Sequence, residues 1–231
     1  MDINIFRRVE KKYLLTLKQY ELLMNKIKDY IEVDTYDYSI INNIYFDTDD
    51  YLLIKRSIEK PKYKEKVRLR CYGIPHKESK VFLEIKKKYK GVVSKRRVSL
   101  LLKDFYNYLD TGILPICDKQ IMKEIDYCFK IYNLKPKVFI AYDRHSYKSK
   151  NDSNLRITFD KNIRSRLDDL YLEKGDHGEL LTDKFIMEVK TLNAFPIWFV
   201  NILSELKIYP ASFSKYGNVY KKLLKEEGLH V

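Results

Sequence analysis

The stretch Lys66-Val67-Arg68-Leu69-Arg70-Cys71-Tyr72 constrains the fold more than any other part of the chain. Read as a strand, it sends successive side chains to opposite faces, so Val67, Leu69 and Cys71 share one face and Lys66, Arg68, Arg70 and Tyr72 the other. The second set cannot line an ordinary apolar core. For one strand alone a solvent-facing side would explain it, because long cationic heads normally sit in water.

The next two strands repeat the division. Val81, Leu83 and Ile85 oppose Phe82, Glu84, Lys86 and Lys88, and then Lys95, Arg97 and Ser99 alternate with Arg96, Val98 and Leu100. From Lys66 to Arg97 there are twelve Lys or Arg and two Glu, so ten of the chain's net thirteen positive charges lie in this segment. Adjacent cationic faces destabilise a sheet unless water or an anion separates the charges. A polyanion in the polar lumen of a small barrel answers that requirement. A phosphate chain suits it, because Arg offers a fork of donors and Lys a point charge. Crowding also implies that removing one cation, such as Arg70, leaves thermal stability unchanged or raises it.

The chain of 231 residues is 45% hydrophobic with only 7 Gly and 6 Pro, which predicts one globular domain over 1–231 without linkers or low-complexity tails. A pI near 9.4 calls for an acidic partner, whether nucleic acid, an anionic membrane or a phosphorylated small molecule. Cys71, Cys117 and Cys128 are odd in number and lack metal-like spacing, which argues against a disulfide framework or zinc site and suits a reducing cytoplasm. The start, Met1 to Arg8, has no apolar core of a signal peptide, and no apolar run reaches about 18 residues, so a soluble protein is expected. His76, His145, His177 and His230 show no ligand-like spacing and are expected on the surface or in loops.

Taken in order, Arg8-Val9-Glu10-Lys11-Lys12-Tyr13 alternates as a strand with Arg8, Glu10 and Lys12 on one face. Thr16-Leu17-Lys18-Gln19 reads as a capping box for a helix whose period runs through Ile31. Ile41 to Phe46 is strand-like, Asp47 to Asp50 a turn, and Tyr51 to Ile54 a short helix or strand. Residues 63–101 read as strand, turn and strand. Leu102 to Leu134 reads as two helices around the break from Gly112 to Pro115. Strands return at Val138–Arg144, Leu155–Asp160 and Phe185–Lys190, where Arg156, Thr158 and Asp160, and then Glu188 and Lys190, oppose apolar neighbours. A carboxylate on such a cationic wall has two readings: a salt-bridge partner that holds the lysines apart, or a ligand for a divalent ion. Pro196 opens a helix through Leu206, and Tyr220, Leu223 and Leu224 mark a closing helix. The order predicts an α+β fold with an antiparallel sheet. Neither a major-groove helix nor a clear row of stacking aromatics is arranged for nucleic acid, which argues against it as a partner.

These residues resemble the VTC (vacuolar transporter chaperone) domain, a polyphosphate polymerase within the CYTH or triphosphate-tunnel superfamily. The resemblance spans nearly the whole chain. Its landmarks are Arg8-Val9-Glu10-Lys11-Lys12-Tyr13, Tyr45-Phe46-Asp47-Thr48, Arg68-Leu69-Arg70, Leu83-Glu84-Ile85-Lys86, Ser94-Lys95-Arg96-Arg97, Tyr142-Asp143-Arg144, Met187-Glu188-Val189-Lys190 and Ser214-Lys215-Tyr216. It implies an antiparallel β-barrel forming a triphosphate tunnel with peripheral helices, binding ATP and growing polyphosphate with Mn²⁺ or Mg²⁺. Carried over by position, the catalytic phosphate binders are Lys12, Arg68, Arg70, Lys86, Lys95, Arg144 and Lys215. Tyr142 and Ser214 add hydrogen bonds and, with Glu10, Arg97, Arg156 and Lys190, are expected to bind the substrate, and Glu188 matches the metal ligand. Hydrolytic tunnel enzymes carry Glu-x-Glu-x-Lys on the first strand, whereas this chain has Arg8-x-Glu10-x-Lys12, which favours the polymerase branch. A metal-dependent triphosphatase and a non-catalytic polyanion binder are the alternatives.

Overall fold

The computed structural model describes residues 9–226, apart from Lys60, Gly91, Ser153 and Asn193, and Gly228. The expectations for Arg8 and His230 lie outside the described residues. Among the described residues the fold is α+β, a nine-stranded antiparallel sheet with six α-helices. Its strands are β1 (Val9–Leu15), β2 (Ile31–Asp47), β3 (Tyr63–Tyr72), β4 (Lys80–Tyr89), β5 (Val92–Leu101), β6 (Lys135–Ser149), β7 (Arg156–Arg166), β8 (Glu179–Thr182) and β9 (Phe185–Thr191). The helices are α1 (Leu17–Ile27), α2 (Leu52–Ile58), α3 (Leu102–Thr111), α4 (Lys119–Tyr132), α5 (Ile197–Glu205) and α6 (Lys215–Glu226). Hydrogen-bonded neighbours follow the order β1-β9-β7-β6-β2-β3-β4-β5, with β8 pairing β7. The chain forms two compact units: one of 1–39, 142–163 and 182–214, the other of 40–141, 164–181 and 215–231.

In the first unit the Thr16 and Gln19 capping box is formed as the sequence predicts. Helix α1 ends at Ile27, however, and not near Ile31. Ile31, Val33 and Thr35 are β-branched at every second position, a strand spacing, and they begin β2. The apolar faces of β1, β7 and β9 supply Tyr13, Leu15, Ile157, Phe159, Met187 and Val189 to a core closed by Leu23 and Ile27 of α1 and Phe199 and Leu203 of α5. Burying that face leaves the alternate residues of the same strands on the other side.

In the second unit Val67, Leu69 and Cys71, with Val81, Leu83, Ile85, Val98 and Leu100, form one core with Phe105 of α3 and Met122, Ile125 and Phe129 of α4. Helix α3 ends on Gly112 at φ 72°, and α4 starts on Asp118, whose side chain accepts from the Ile121 N–H at 2.9 Å. The segment Asp47 to Ile58 is organised by Asp47. Its carboxylate accepts the N–H groups of Thr48 at 2.9 Å, Leu53 at 2.8 Å and Ile54 at 3.0 Å, and the Tyr216 hydroxyl at 2.9 Å. The buried start of α2 and the first turn of α6 thus share one carboxylate.

Candidate functional site

The polar face of the second unit is built by register. Tyr45, Arg68, Glu84 and Arg97 face one another in a row across β2, β3, β4 and β5. The next row is Lys66, Lys86 and Lys95, and the row on the other side is Asn43, Arg70, Phe82 and Ser99. At the centre Glu84 is only 2% exposed. Its Oε2 accepts Arg68 Nε at 2.8 Å and Nη2 at 2.7 Å. Its Oε1 accepts Arg97 Nε at 2.7 Å, contacts Arg97 Nη2 and receives Lys95 Nζ at 3.1 Å. The rings of Tyr45 and Phe82 lie under the guanidiniums of Arg68 and Arg97, at 5.9 and 4.5 Å.

Burial alone would raise the Glu84 pKa, but the charges of Arg68, Arg70 and Lys95 outweigh it and hold the carboxyl far below the usual range. Burial pulls the Lys95 ammonium down to about 8, against the opposing pull of Glu84. Arg70 departs from the crowding expectation. It is 6% exposed, and its Nε donates to Asn43 Oδ1 at 2.9 Å, while Asn43 Nδ2 donates to the Ile140 carbonyl at 3.1 Å. Arg70 is therefore part of the unit's buried hydrogen bonding as well as its charge. Lys86 is exposed on the same face.

The polar face of the first unit has a second carboxylate hub. Glu188 of β9 lies between Lys12 of β1 and Thr158 of β7, and Lys190 lies between Glu10 and Arg156. Glu188 Oε2 is 3.6 Å from Lys12 Nζ, and its Oε1 contacts Lys190 Nζ. Burial opposes the charge on Glu188, yet Lys190, Lys12 and Arg144 hold its pKa well below the ordinary value. Lys12 Nζ also donates to the Phe213 carbonyl at 3.4 Å, in the segment that ends at Ser214 before Lys215 opens α6. Arg144 is gripped by the buried Asp160, Nε to Oδ1 at 2.6 Å and Nη2 to Oδ2 at 2.8 Å, with its guanidinium 5.3 Å from the centre of the Tyr142 ring. Arg156 is half exposed and leans to Asp34 at 3.7 Å, while Glu10 is exposed opposite Lys190.

Of the sequence-derived set, Arg68, Lys95 and Arg97 meet at Glu84, and Lys12 and Lys190 meet at Glu188. Two organising groups were not singled out: Glu84 as a hub and Asp160 as the partner of Arg144. Each is the lone acid among cations on its strand face, which is the available signal. Among the described residues no group of three or more His, Cys, Asp or Glu is placed to hold a metal ion. The oxygens near Glu188 still fit a shared site. Thr158 Oγ1 is buried without a hydrogen-bond partner beside Glu188 in the register, and a hard divalent ion commonly takes one or two protein oxygens while phosphates supply the rest.

The VTC domain family model matches residues 7–224. Vacuolar transporter chaperone complex subunit 4 of Trypanosoma brucei brucei (strain 927/4 GUTat10.1) is 28% identical over 163 residues, 58% of this chain. The chain spans only 21% of that relative's length. A putative adenylate cyclase from Bacillus halodurans shares the fold at a TM-score of 0.56 and 17% identity, covering 90% of this chain and 95% of that one. A putative adenylyl cyclase from Hippeastrum, described as having a dominant triphosphatase activity, does so at 0.51 and 12% identity, covering 97% of each. These likenesses show the fold that the chain shares with those two proteins, and with a family match over almost all of its length the chain belongs to the VTC domain family.

Proposed function

We propose that this protein is a polyphosphate polymerase, a phosphotransferase that moves the terminal phosphate of ATP onto a growing inorganic polyphosphate chain. Membership of the VTC family supports the substrate class. The observation that carries the choice of transfer over hydrolysis is the state of the carboxylates. Glu84, Asp160 and Glu188 are each engaged by cations, so none of the three is poised to take a proton from water. A phosphate acceptor needs no such base, because its terminal oxygen is already ionised.

In the proposed step that oxygen attacks the γ-phosphorus in line, a new P–O bond forms, the bond to the β,γ-bridging oxygen breaks, and ADP leaves with the electron pair. Little covalent work falls to the protein, whose contribution is alignment and neutralisation of the phosphoryl oxygens. Lys12, Arg68, Arg70, Lys86, Lys95, Arg144 and Lys215 are the proposed catalytic phosphate binders, with Arg97, Arg156, Lys190 and Glu10 as further substrate-binding residues. Tyr142 and Ser214 supply hydroxyl groups. Bound Mn²⁺ or Mg²⁺, held by Glu188 and Thr158, would polarise the transferred group. Residues 1–231 act as one catalytic domain in this reading. The cytoplasm, where ATP is available and three unpaired cysteines stay reduced, is the assigned compartment. No helix among the described residues is long and apolar enough to cross a membrane.

The test is the product of the purified protein with γ-labelled ATP and Mn²⁺, resolved on a gel. A ladder of labelled polyphosphate is expected. Labelled free phosphate alone would assign a triphosphatase instead, and no turnover would assign a binding protein.

A further inference from the structure

Glu84 receives from its neighbours the donors that a phosphate group would also attract. Three cationic side chains from two strands point their donors at its two oxygens, each arginine closing on one oxygen with two of its nitrogens, and these donors serve phosphate as readily as carboxylate. The carboxylate is fully ionised against its burial and is shut from solvent, so it cannot drift away when another anion arrives. A phosphate that engages Arg68, Arg97 or Lys95 competes with Glu84 for their charge, and each donor it takes over leaves the buried carboxylate short of a partner. Meanwhile the Val81, Leu83 and Ile85 side of β4 is packed in the core, which fixes where Glu84 stands.

We infer that Glu84 is a built-in competitor for phosphate: it holds the Arg68, Lys95 and Arg97 donors in place when no substrate is bound and limits how tightly they retain a phosphate chain. This rests on the phosphate-binding reading above and adds a role for a residue that contacts the substrate only through its neighbours. The consequence is specific. A site made only of cations would bind a polyanion so strongly that a growing chain could not advance, whereas a displaced internal anion returns to reclaim each donor as the phosphate moves on. A purely structural carboxylate would have the opposite signature, since its loss would scatter the donors and weaken binding.

The experiment is calorimetric titration of tripolyphosphate into the full chain in metal-free buffer, comparing wild type, Glu84→Gln and Glu124→Gln. Glu124 is paired with Lys87 and Arg96, whose side chains lie on the opposite face of the same strands, so Glu124→Gln gives an equal gain in net charge. Glu84→Gln is expected to bind on the order of tenfold tighter and to release more slowly, with Glu124→Gln near wild type. Unchanged or weaker binding by Glu84→Gln, or an equal gain in both variants, overturns the inference while leaving the phosphate-binding reading standing. No binding by wild type overturns both. If empty Glu84→Gln does not fold, tripolyphosphate should restore a cooperative melting transition, because an external phosphate then supplies the negative charge that holds the same three donors. Failure to restore it refutes the inference.

Discussion

Lys95 gives the second unit's polar face a titration within an accessible pH range. Burial lowers its pKa to about 8, and Glu84 at 3.1 Å only partly offsets that. A bound polyphosphate adds negative charge beside the ammonium and raises the pKa in the complex above that of the empty protein. Above about pH 8, binding must therefore take up a proton, and below it the lysine is already charged. Affinity for tripolyphosphate is full on the acid side and falls by up to about tenfold for each pH unit above about 8, until pH passes the pKa in the complex. At pH 9 about one Lys95 in eleven retains its proton in the empty protein. The ligand titrates as well, so the assay compares wild type with Lys95→Arg by calorimetry from pH 7 to 9.5 in buffers of different ionisation enthalpy. Arg stays protonated throughout. Wild type should lose about tenfold more affinity than Lys95→Arg by pH 9 and take up close to one additional proton. Parallel profiles for the two proteins would refute the assignment of Lys95 as a phosphate ligand with a lowered pKa.

Arg70→Ala should lower stability by about 1–3 kcal/mol, because it strands the buried Asn43 carbonyl oxygen; an unchanged Tm would contradict that. Asp47→Ala removes the acceptor for Leu53 N, Ile54 N and the Tyr216 hydroxyl, and a loss of about 3 kcal/mol or more in chemical denaturation is expected. A loss below about 1 kcal/mol would show the carboxylate to be dispensable. Glu188→Gln should abolish synthesis while tripolyphosphate still binds in metal-free buffer, and full activity of this variant with ATP and Mn²⁺ would remove Glu188 from the site.

Which face of each strand is apolar was legible in the sequence, because a period of two needs no knowledge of neighbours. Val67, Leu69 and Cys71 enter the core as the alternation requires, and Arg68 with Lys66 opposes them. Partners across strands were not legible. Glu84 gathers Arg68 from β3 and Lys95 and Arg97 from β5, and only the register reveals that one carboxylate meets all three. Arg144 and Asp160 are likewise sixteen residues apart in sequence and joined by a fork. The same limit explains Arg70, whose burial depends on Asn43 of β2 and was read as surplus charge. The first half of β2 is hard to read from sequence because Glu32, Asp34 and Asp37 leave no apolar alternation there, only the β-branched spacing of Ile31, Val33 and Thr35, and Glu32, Val33, Thr35, Tyr36 and Asp37 are exposed.

In the proposed reaction ATP's terminal phosphate goes to another phosphate and not to water. The measurement that tests it most directly is a single time course with ATP and Mn²⁺ in which ADP and free phosphate are quantified together. Phosphate retained in acid-labile chains should account for nearly all of the ADP formed, with free phosphate a small fraction throughout. Free phosphate rising in step with ADP from the first turnover would contradict the account.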